Sequence, residues 1–428
     1  MVTTARTAAL VVATLLPTTH CTVAKKEPPA ASVEESPGRF RESAEAINGL
    51  GIDLLRALPN TNENAVISPF SIQEVLAMAY AGASGQTQLE MFNTLHYPKN
   101  EDSLHSSFAA LAKSLADLSQ RSVEMRGESA KDSDRIVIAI ANRLYAQEGR
   151  PFRRPFLELL ESNYLAPPVR VDFHTRAEPT RKEINAWVAE LTRQRIRNLI
   201  PEGGVSPNTA LVLANAVYLK APWKKKFDEA ATGPAPFAVA GGENANTATM
   251  FVSSYFGYSK DKDFEVVTIP YSNPEIRFVV LLPSKESSIA GVLATLTSAQ
   301  LRGLGQAPVI RVRLHMPKFQ IAPPTITLSQ ALSTLGMKAA FKPDEADFSR
   351  IDWGHELSIS EIFHKAFIQV DERGTEAAAA SALAMQNVSA AKRESPPIEV
   401  HVDRPFLFAV QHRSSGACLF LGWVTDPR

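Results

Sequence analysis

Between Asp371 and Ser389 the chain reads DERGTEAAAASALAMQNVS, a run of small side chains with charge before it and a Val388-Ser389 pair at its end. It follows directly on an apolar, alternating stretch, Glu361 to Val370, that has the period of a strand. Extended as a strand, it would carry Thr375, Ala377, Ala379, Ser381, Leu383 and Met385 on one face, with no charge to desolvate. The other face would carry Glu376, Ala378, Ala380, Ala382, Ala384 and Gln386. Such a segment can enter the middle of a sheet without burying an ion, and Gly374 supplies a pivot ahead of it. Alanine is also the best helix former, so on these residues alone a short helix stays open.

Other chemistry is absent from the sequence. It holds no Gly-x-Ser-x-Gly elbow, His-Glu-x-x-His pair, phosphate loop or dinucleotide fingerprint. Scattered Ser, His and Asp residues carry no meaning without geometry, so no catalytic residue and no enzyme is expected. Two distant cysteines, Cys21 and Cys418, make neither a disulfide framework nor a metal-ligand spacing, and no metal or cofactor is expected; Cys418 reads as a buried, inert thiol. Forty-five basic residues balance forty-five acidic ones, which gives no field to draw nucleic acid or an anionic membrane. Lys224, Lys225 and Lys226, with Arg193, Arg195 and Arg197, are the only tight basic groups and read as solvated surface.

The elements that must position the segment are mixed. Helical periodicity occurs in Glu42 to Leu58, Ser71 to Ala81, Ser103 to Ser119, Phe152 to Tyr164 and Thr180 to Asn198. Strand periodicity occurs in Arg135 to Tyr145, Ala210 to Leu219, Phe264 to Ile269, Arg277 to Leu282, Ile310 to Met316, Glu361 to Val370, Phe406 to Gln411 and Cys418 to Val424. Strands that cluster toward the C-terminal half instead of alternating with helices point to an α+β fold. With 428 residues, 45% of them hydrophobic, the chain can bury a large core, and residues 40–428 read as one domain. Residues 1–21 read as a signal peptide and residues 22–39, rich in Pro, Glu, Ala and Ser, as a disordered tether. Secretion to the extracellular space follows. In a second reading Cys21 carries lipid, as in a bacterial lipoprotein, and the protein is anchored to an envelope membrane; Thr18, Thr19 and His20 fit that pattern poorly.

Four segments, in order, resemble the serpin family, and the likeness covers nearly everything from Phe40 to Pro427. Glu372, Arg373, Gly374, Thr375, Glu376, Ala377, Ala378, Ala379 and Ala380 resemble the hinge of inhibitory members. Val402-Asp403-Arg404-Pro405-Phe406-Leu407-Phe408, then Gly416, Leu419, Phe420, Gly422 and Pro427, resemble the C-terminal signature. Asn64 to Thr87 is similar to the segment along a central buried helix, and Asn215 to Phe227 to a strand and its exit at the top of the main sheet. The resemblance implies three β-sheets, eight or nine helices, an exposed reactive-centre loop, and a native monomer in a metastable state. It implies a suicide substrate: a serine protease cuts the loop, is held as a covalent acyl-enzyme, and is carried away as the loop inserts into the central sheet.

Residue roles follow from the same likeness. The scissile bond falls fourteen residues after Gly374, at Val388-Ser389, with Asn387 or Ser389 as the alternatives one step away. A small β-branched residue there suits an elastase-like protease, with subtilisin-like enzymes as further partners. Ala390 to Pro397 is longer than the family pattern, and its Lys392 and Arg393 offer trypsin-like enzymes a site for plain cleavage. Asn387-Val388-Ser389 forms a glycosylation sequon read as accidental. Ser68, Ser71, Asn215 and His364 correspond to a shutter cluster under the opening sheet, and Trp223 to the breach where the loop enters. The competing function is a non-inhibitory serpin, a binding or chaperone-like protein cleaved as a plain substrate; bulky or charged hinge residues would favour it, and Glu376 is the only one after Gly374.

Overall fold

The computed structural model describes residues 40–58, 62–124, 135–149, 151–240, 242, 244–353, 357–375 and 396–428. Cys21, Glu376, Ala377, Ala378, Ala379, Ala380, Asn387, Val388, Ser389, Lys392 and Arg393 lie outside the described residues.

Helix α1 (Arg41–Ala57) turns Ala44, Ile47, Leu50 and Leu54 inward at spacings of three and four. Helix α2 (Pro69–Tyr80) is buried on every side. Its first turn is set by Pro69, whose missing N–H costs nothing there, and by the Ser68 hydroxyl, which accepts the Ser71 N–H at 3.3 Å. Buried polar groups on this helix have partners on its neighbours: the Gln73 amide donates to the carbonyls of Ala46 and Leu95, each at 2.9 Å. Nine α-helices occur among the described residues, none of them long and apolar enough to cross a membrane.

The strands make two hydrogen-bonded networks. The smaller runs β10 (Phe319–Ile321), β12 (Ile359–Val370), β13 (Gly374–Thr375), β4 (Leu211–Pro222), β2 (Val137–Gln147) and β3 (Val169–Val171), with β11 (Ile326–Thr327) also paired to β12. The larger runs β1 (Ala65–Ile67), β16 (Cys418–Val424), β15 (Phe406–His412), β8 (Ile276–Pro283), β7 (Phe264–Pro270), β6 (Asn244–Lys260), β9 (Val309–Pro317) and β14 (Ile398–His401), with β5 (Asp228–Ala238) on β6. The seventeen-residue β6 joins what are two sheets: its first part pairs with β5 and β9, and its last four residues pair with β7. Three sheets are thus present among the described residues, two of them sharing β6.

The central sheet is covered on both faces, and the period of two divides its side chains cleanly. On β4, Leu211, Leu213, Val217 and Leu219 join the main core, in which α2 lies, whereas Val212, Ala214, Ala216 and Tyr218 join a second cluster. That cluster is closed by Phe173, Ile184 and Val188 of the helix Phe173–Leu191. This helix begins seven residues before the predicted Thr180. Pro179 reads as a breaker, but a kink at Arg176 restarts the helix just ahead of it, so that Pro179 falls in a first turn whose N–H groups need no partner. Strands β5 and β6 lacked a clear alternation in the sequence: Pro234 and Pro236 sit on β5, which pairs with β6 alone, where a missing donor is tolerated.

Candidate functional site

Strands β12 and β4 run parallel and are paired from Ile359 opposite Leu211 to Phe367 opposite Tyr218. Above Phe367 they part, and β13 fills the space between them: Thr375 is opposite Val370 on one side and Ala221 on the other. β13 is antiparallel to both, so the chain enters from the top of the sheet and heads down the seam. Fit is tight. A Cβ on Gly374 would lie 2.2 Å from the Ala221 carbonyl oxygen and 2.6 Å from the Pro222 Cα, so only glycine lets the backbones approach this closely. Thr375 is fully buried, and its hydroxyl meets the Tyr271 hydroxyl at 2.5 Å. Burial pushes the Tyr271 phenol well above its ordinary range, against the hydrogen bond with Thr375.

The approach to β13 is fixed by polar contacts. Trp223 lies beside the turn into β13: its Nε1–H donates to the Asp371 carbonyl at 2.9 Å and its backbone N–H to the Arg373 carbonyl at 2.8 Å. Its ring stacks on Tyr271 with centroids 4.5 Å apart. The Asp371 carboxylate accepts the N–H groups of Arg373 and Gly374, at 2.8 and 3.2 Å, which forms the turn into β13. Glu372 accepts from Lys318 at 3.0 Å and from the Thr232 hydroxyl at 2.9 Å. Burial alone would raise the Glu372 carboxyl; its backbone hydrogen bond and those from Lys318 and Thr232, with the Lys318 charge, hold it below its ordinary value. Arg373 pairs with Glu229 at 2.8 Å.

Six residues down β12 from Val370 lies a polar row. Asn142 on β2, Asn215 on β4 and His364 on β12 are directly opposite one another across the three strands. Their neighbours two residues away, such as Leu144, Leu213 and Ile362, face the main core, so all three side chains point toward α2. His364 Nε2 accepts the Ser68 N–H at 3.2 Å, which assigns the ring hydrogen to Nδ1, and Nδ1–H donates to Asn215 Oδ1. The Asn215 amide donates to Ser71 Oγ and Asn142 Oδ1; the Ser71 hydroxyl also donates to Asn142 Oδ1, at 2.8 Å. The Asn142 amide closes the row on the Ser71 carbonyl at 3.1 Å and on Glu74 at 2.6 Å. Burial holds His364 neutral, with its pKa down to about 3, and lifts Glu74 to about 7 against the Asn142 hydrogen bond.

The structure therefore brings Ser68, Ser71, Asn215 and His364 together, and gathers Glu372, Gly374, Thr375 and Trp223 at the top of the same seam. Sequence reasoning missed Asn142, Glu74, Tyr271 and Lys318. Asn142 and Glu74 left a faint signal, each being one of a few polar residues in a largely apolar strand or helix, beside Arg143 and Gln73 respectively. Tyr271 and Lys318 left none, because their partners are more than fifty residues distant. Cys418 is fully buried, and burial raises its thiol to about 12, so the thiolate is not available. Lys224 to Lys226 and Arg193, Arg195 and Arg197 are exposed.

Comparison with known proteins agrees with this geometry. Residues 45–427 match the family model for the serpin, or serine protease inhibitor. The chain is 33% identical over 387 residues to the human leukocyte elastase inhibitor, covering 88% of this chain and 97% of that one. It is also 33% identical over 392 residues to an uncharacterized serpin-like protein of Thermococcus kodakarensis, covering 91% and 87%. Among solved structures, the thermophilic serpin tengpin in its native state superposes with a TM-score of 0.77 at 27% identity, covering 90% of this chain and 94% of that one. Uncleaved ovalbumin superposes with a TM-score of 0.75 at 24% identity over 90% of this chain, a likeness of fold. With its mixed α+β architecture, its three sheets and this match over most of its length, the chain belongs to the serpin family of serine protease inhibitors.

Proposed function

We propose that this serpin is inhibitory: an elastase-like serine protease cleaves Val388-Ser389, is held as an acyl-enzyme on Val388, and is displaced as residues 376–386 insert between β4 and β12. The carrying observation is the direction and register of β13. It runs down the seam, and the offset between β12 and β4 at the hinge, Val370 with Ala221, is the offset at the polar row, His364 with Asn215. A strand continued from Thr375 would therefore meet Ile368 with Ala377, Ala366 with Ala379, His364 and Asn215 with Ser381, and Ile362 with Leu383. Residues that share a position across neighbouring strands share a face, so these small side chains would enter the main core. The one hydroxyl among the inserted core-facing residues would meet the two polar seam residues. Gln386 would reach Ile359 at the bottom, and Val388 would emerge beyond it, about 40 Å from the hinge at the rise of a strand.

Breaking the β12–β4 ladder costs hydrogen bonds that insertion restores twice over, because the new strand pairs on both sides, and it adds apolar burial. The Ala-rich composition keeps that exchange free of ion desolvation. Val388 suits the small pocket of an elastase-like enzyme, and the 33% identical human relative bears the name leukocyte elastase inhibitor. We further propose that residues 1–21 direct secretion, so that the protein meets its protease outside the cell. Mixing the protein with an elastase and resolving the products by denaturing electrophoresis and mass spectrometry tests the function. A covalent complex with the cut after Val388 is expected. Complete cleavage without a complex would leave a non-inhibitory serpin.

A further inference from the structure

Strand β14 holds a second arrangement, outside the seam. It pairs in parallel with β9 so that Glu399 is opposite Arg313 and His401 opposite His315. Residues two apart on a strand share a face, so these four side chains form a two-by-two array. His315 and His401 stack with ring centroids 4.4 Å apart and planes 13° from parallel. Both Nε2 atoms approach the same oxygen of Glu399, His315 at 3.0 Å and His401 at 3.9 Å. One donor atom from each of the three residues lies within 4.8 Å of the others. Arg313 approaches the opposite carboxylate oxygen at 3.5 Å, so the two oxygens are divided between the guanidinium and the imidazoles.

We propose that His315, His401 and Glu399 bind a divalent first-row transition-metal ion of the zinc class, which staples β14 to β9. Two imidazoles and one carboxylate with a fourth position open to water are a zinc donor set, and small side-chain adjustments bring ligands at these separations to bond lengths of about 2 Å. Imidazole donors favour zinc, copper or nickel over calcium and magnesium. Arg313 on the outer oxygen orients the carboxylate from behind. Glu399 and His401 line one wall of an open cleft of about 560 Å³, through which an ion reaches the site. The mechanical consequence follows from topology: β14 is four residues long, β9 is its only strand neighbour among the described residues, and Pro396 and Pro397 join it to residues 376–395. A bound ion adds a side-chain crosslink to that single ladder, independently of whether the protein inhibits a protease.

Titration of the untagged protein with zinc chloride, followed by calorimetry and by amide hydrogen exchange, tests this. One ion per chain is expected, with affinity reduced about tenfold or more in His315→Ala and in His401→Ala. His96→Ala, an exposed histidine elsewhere paired with Asp53, should bind as the parent does. Zinc should slow exchange of the Ile398–His401 amides in the parent and not in His401→Ala. Zinc binding that survives both substitutions, or no binding at millimolar zinc, overturns the site; binding without slower exchange in β14 overturns the staple.

Discussion

His364 and Asn215 face one another across the parallel β12–β4 ladder, joined by Nδ1–H to Oδ1, in the same register that flanks Thr375 with Val370 and Ala221. Hinge and polar row are thus two points on one seam. A strand that enters at Thr375 must separate His364 from Asn215, and the hydrogen bonds of the row set the resistance to that separation.

Asn215→Ala should weaken that resistance. It leaves His364 Nδ1–H without a partner in a buried site, at about 1–3 kcal/mol, and removes one of two hydrogen bonds at Ser71 Oγ and at Asn142 Oδ1, which keep the bond to each other. A melting midpoint lower by several degrees is expected, together with more polymer on native electrophoresis after mild heating. An unchanged midpoint would mean that the row does not hold the seam shut.

The row also fixes a pH dependence, with opposing signs that can be separated. His364 is depressed from 6.5 to about 3, so its contribution to stability is full above pH 6.5 and is lost as pH falls toward 3. Buried His105 and His412, both lowered to about 4, act in the same sense. Glu74 is raised from 4.5 to about 7, so its contribution is full below pH 4.5 and is lost as pH rises through 7. Glu74→Gln mimics the protonated acid. Denaturant unfolding of the two proteins should differ by an amount that grows at about 1.4 kcal/mol per pH unit between 4.5 and 7 and is level outside that window. Parallel curves would contradict a buried, protonated Glu74.

If the protein inhibits by insertion, Thr375→Arg should leave it a plain substrate. Thr375 is fully buried against Tyr271, and an arginine there must either desolvate its charge between two strands or hold the hinge out of the seam. Elastase should cut the variant as fast as the parent, with the covalent band replaced by cleaved protein on the gel. A covalent band of undiminished yield would rule out insertion at this point.

Ser381→Ala should act on the cleaved form alone. Ser381 is expected between His364 and Asn215 after insertion, where its hydroxyl would replace the hydrogen bond these two side chains make with each other in the uncleaved protein. Its loss should lower the guanidinium stability of cleaved protein by about 1–3 kcal/mol and leave uncleaved protein unchanged. Equal effects on both forms would exclude this register.

The seam strands were legible in the sequence because each is long and largely apolar, as in Leu211 to Pro222, where polar Asn215 stands out; His364 shares β12 with Glu361, Lys365 and Gln369. The hinge was legible from Gly374 and the alanines that follow. What stayed hidden depends on distant partners: Tyr271 meets Thr375 across 104 residues, and Lys318 meets Glu372 across 54. β5 was obscured by Pro234 and Pro236, which an edge strand tolerates, and the helix at Phe173 by a kink that moves Pro179 into a first turn. The His315, Glu399 and His401 array is equally invisible, since parallel pairing of β9 with β14 brings together segments with no local signature.

Once it is cut, the segment after Thr375 should become a strand between β4 and β12. Hydrogen exchange, measured on the native protein and on protein cleaved after Val388, tests it most directly. Amides of residues 376–386 should become strongly protected on cleavage, and the cleaved protein should melt at a higher temperature than the native one. Amides that exchange equally fast before and after cleavage, with no gain in melting temperature, would contradict insertion and with it the proposed mechanism of inhibition.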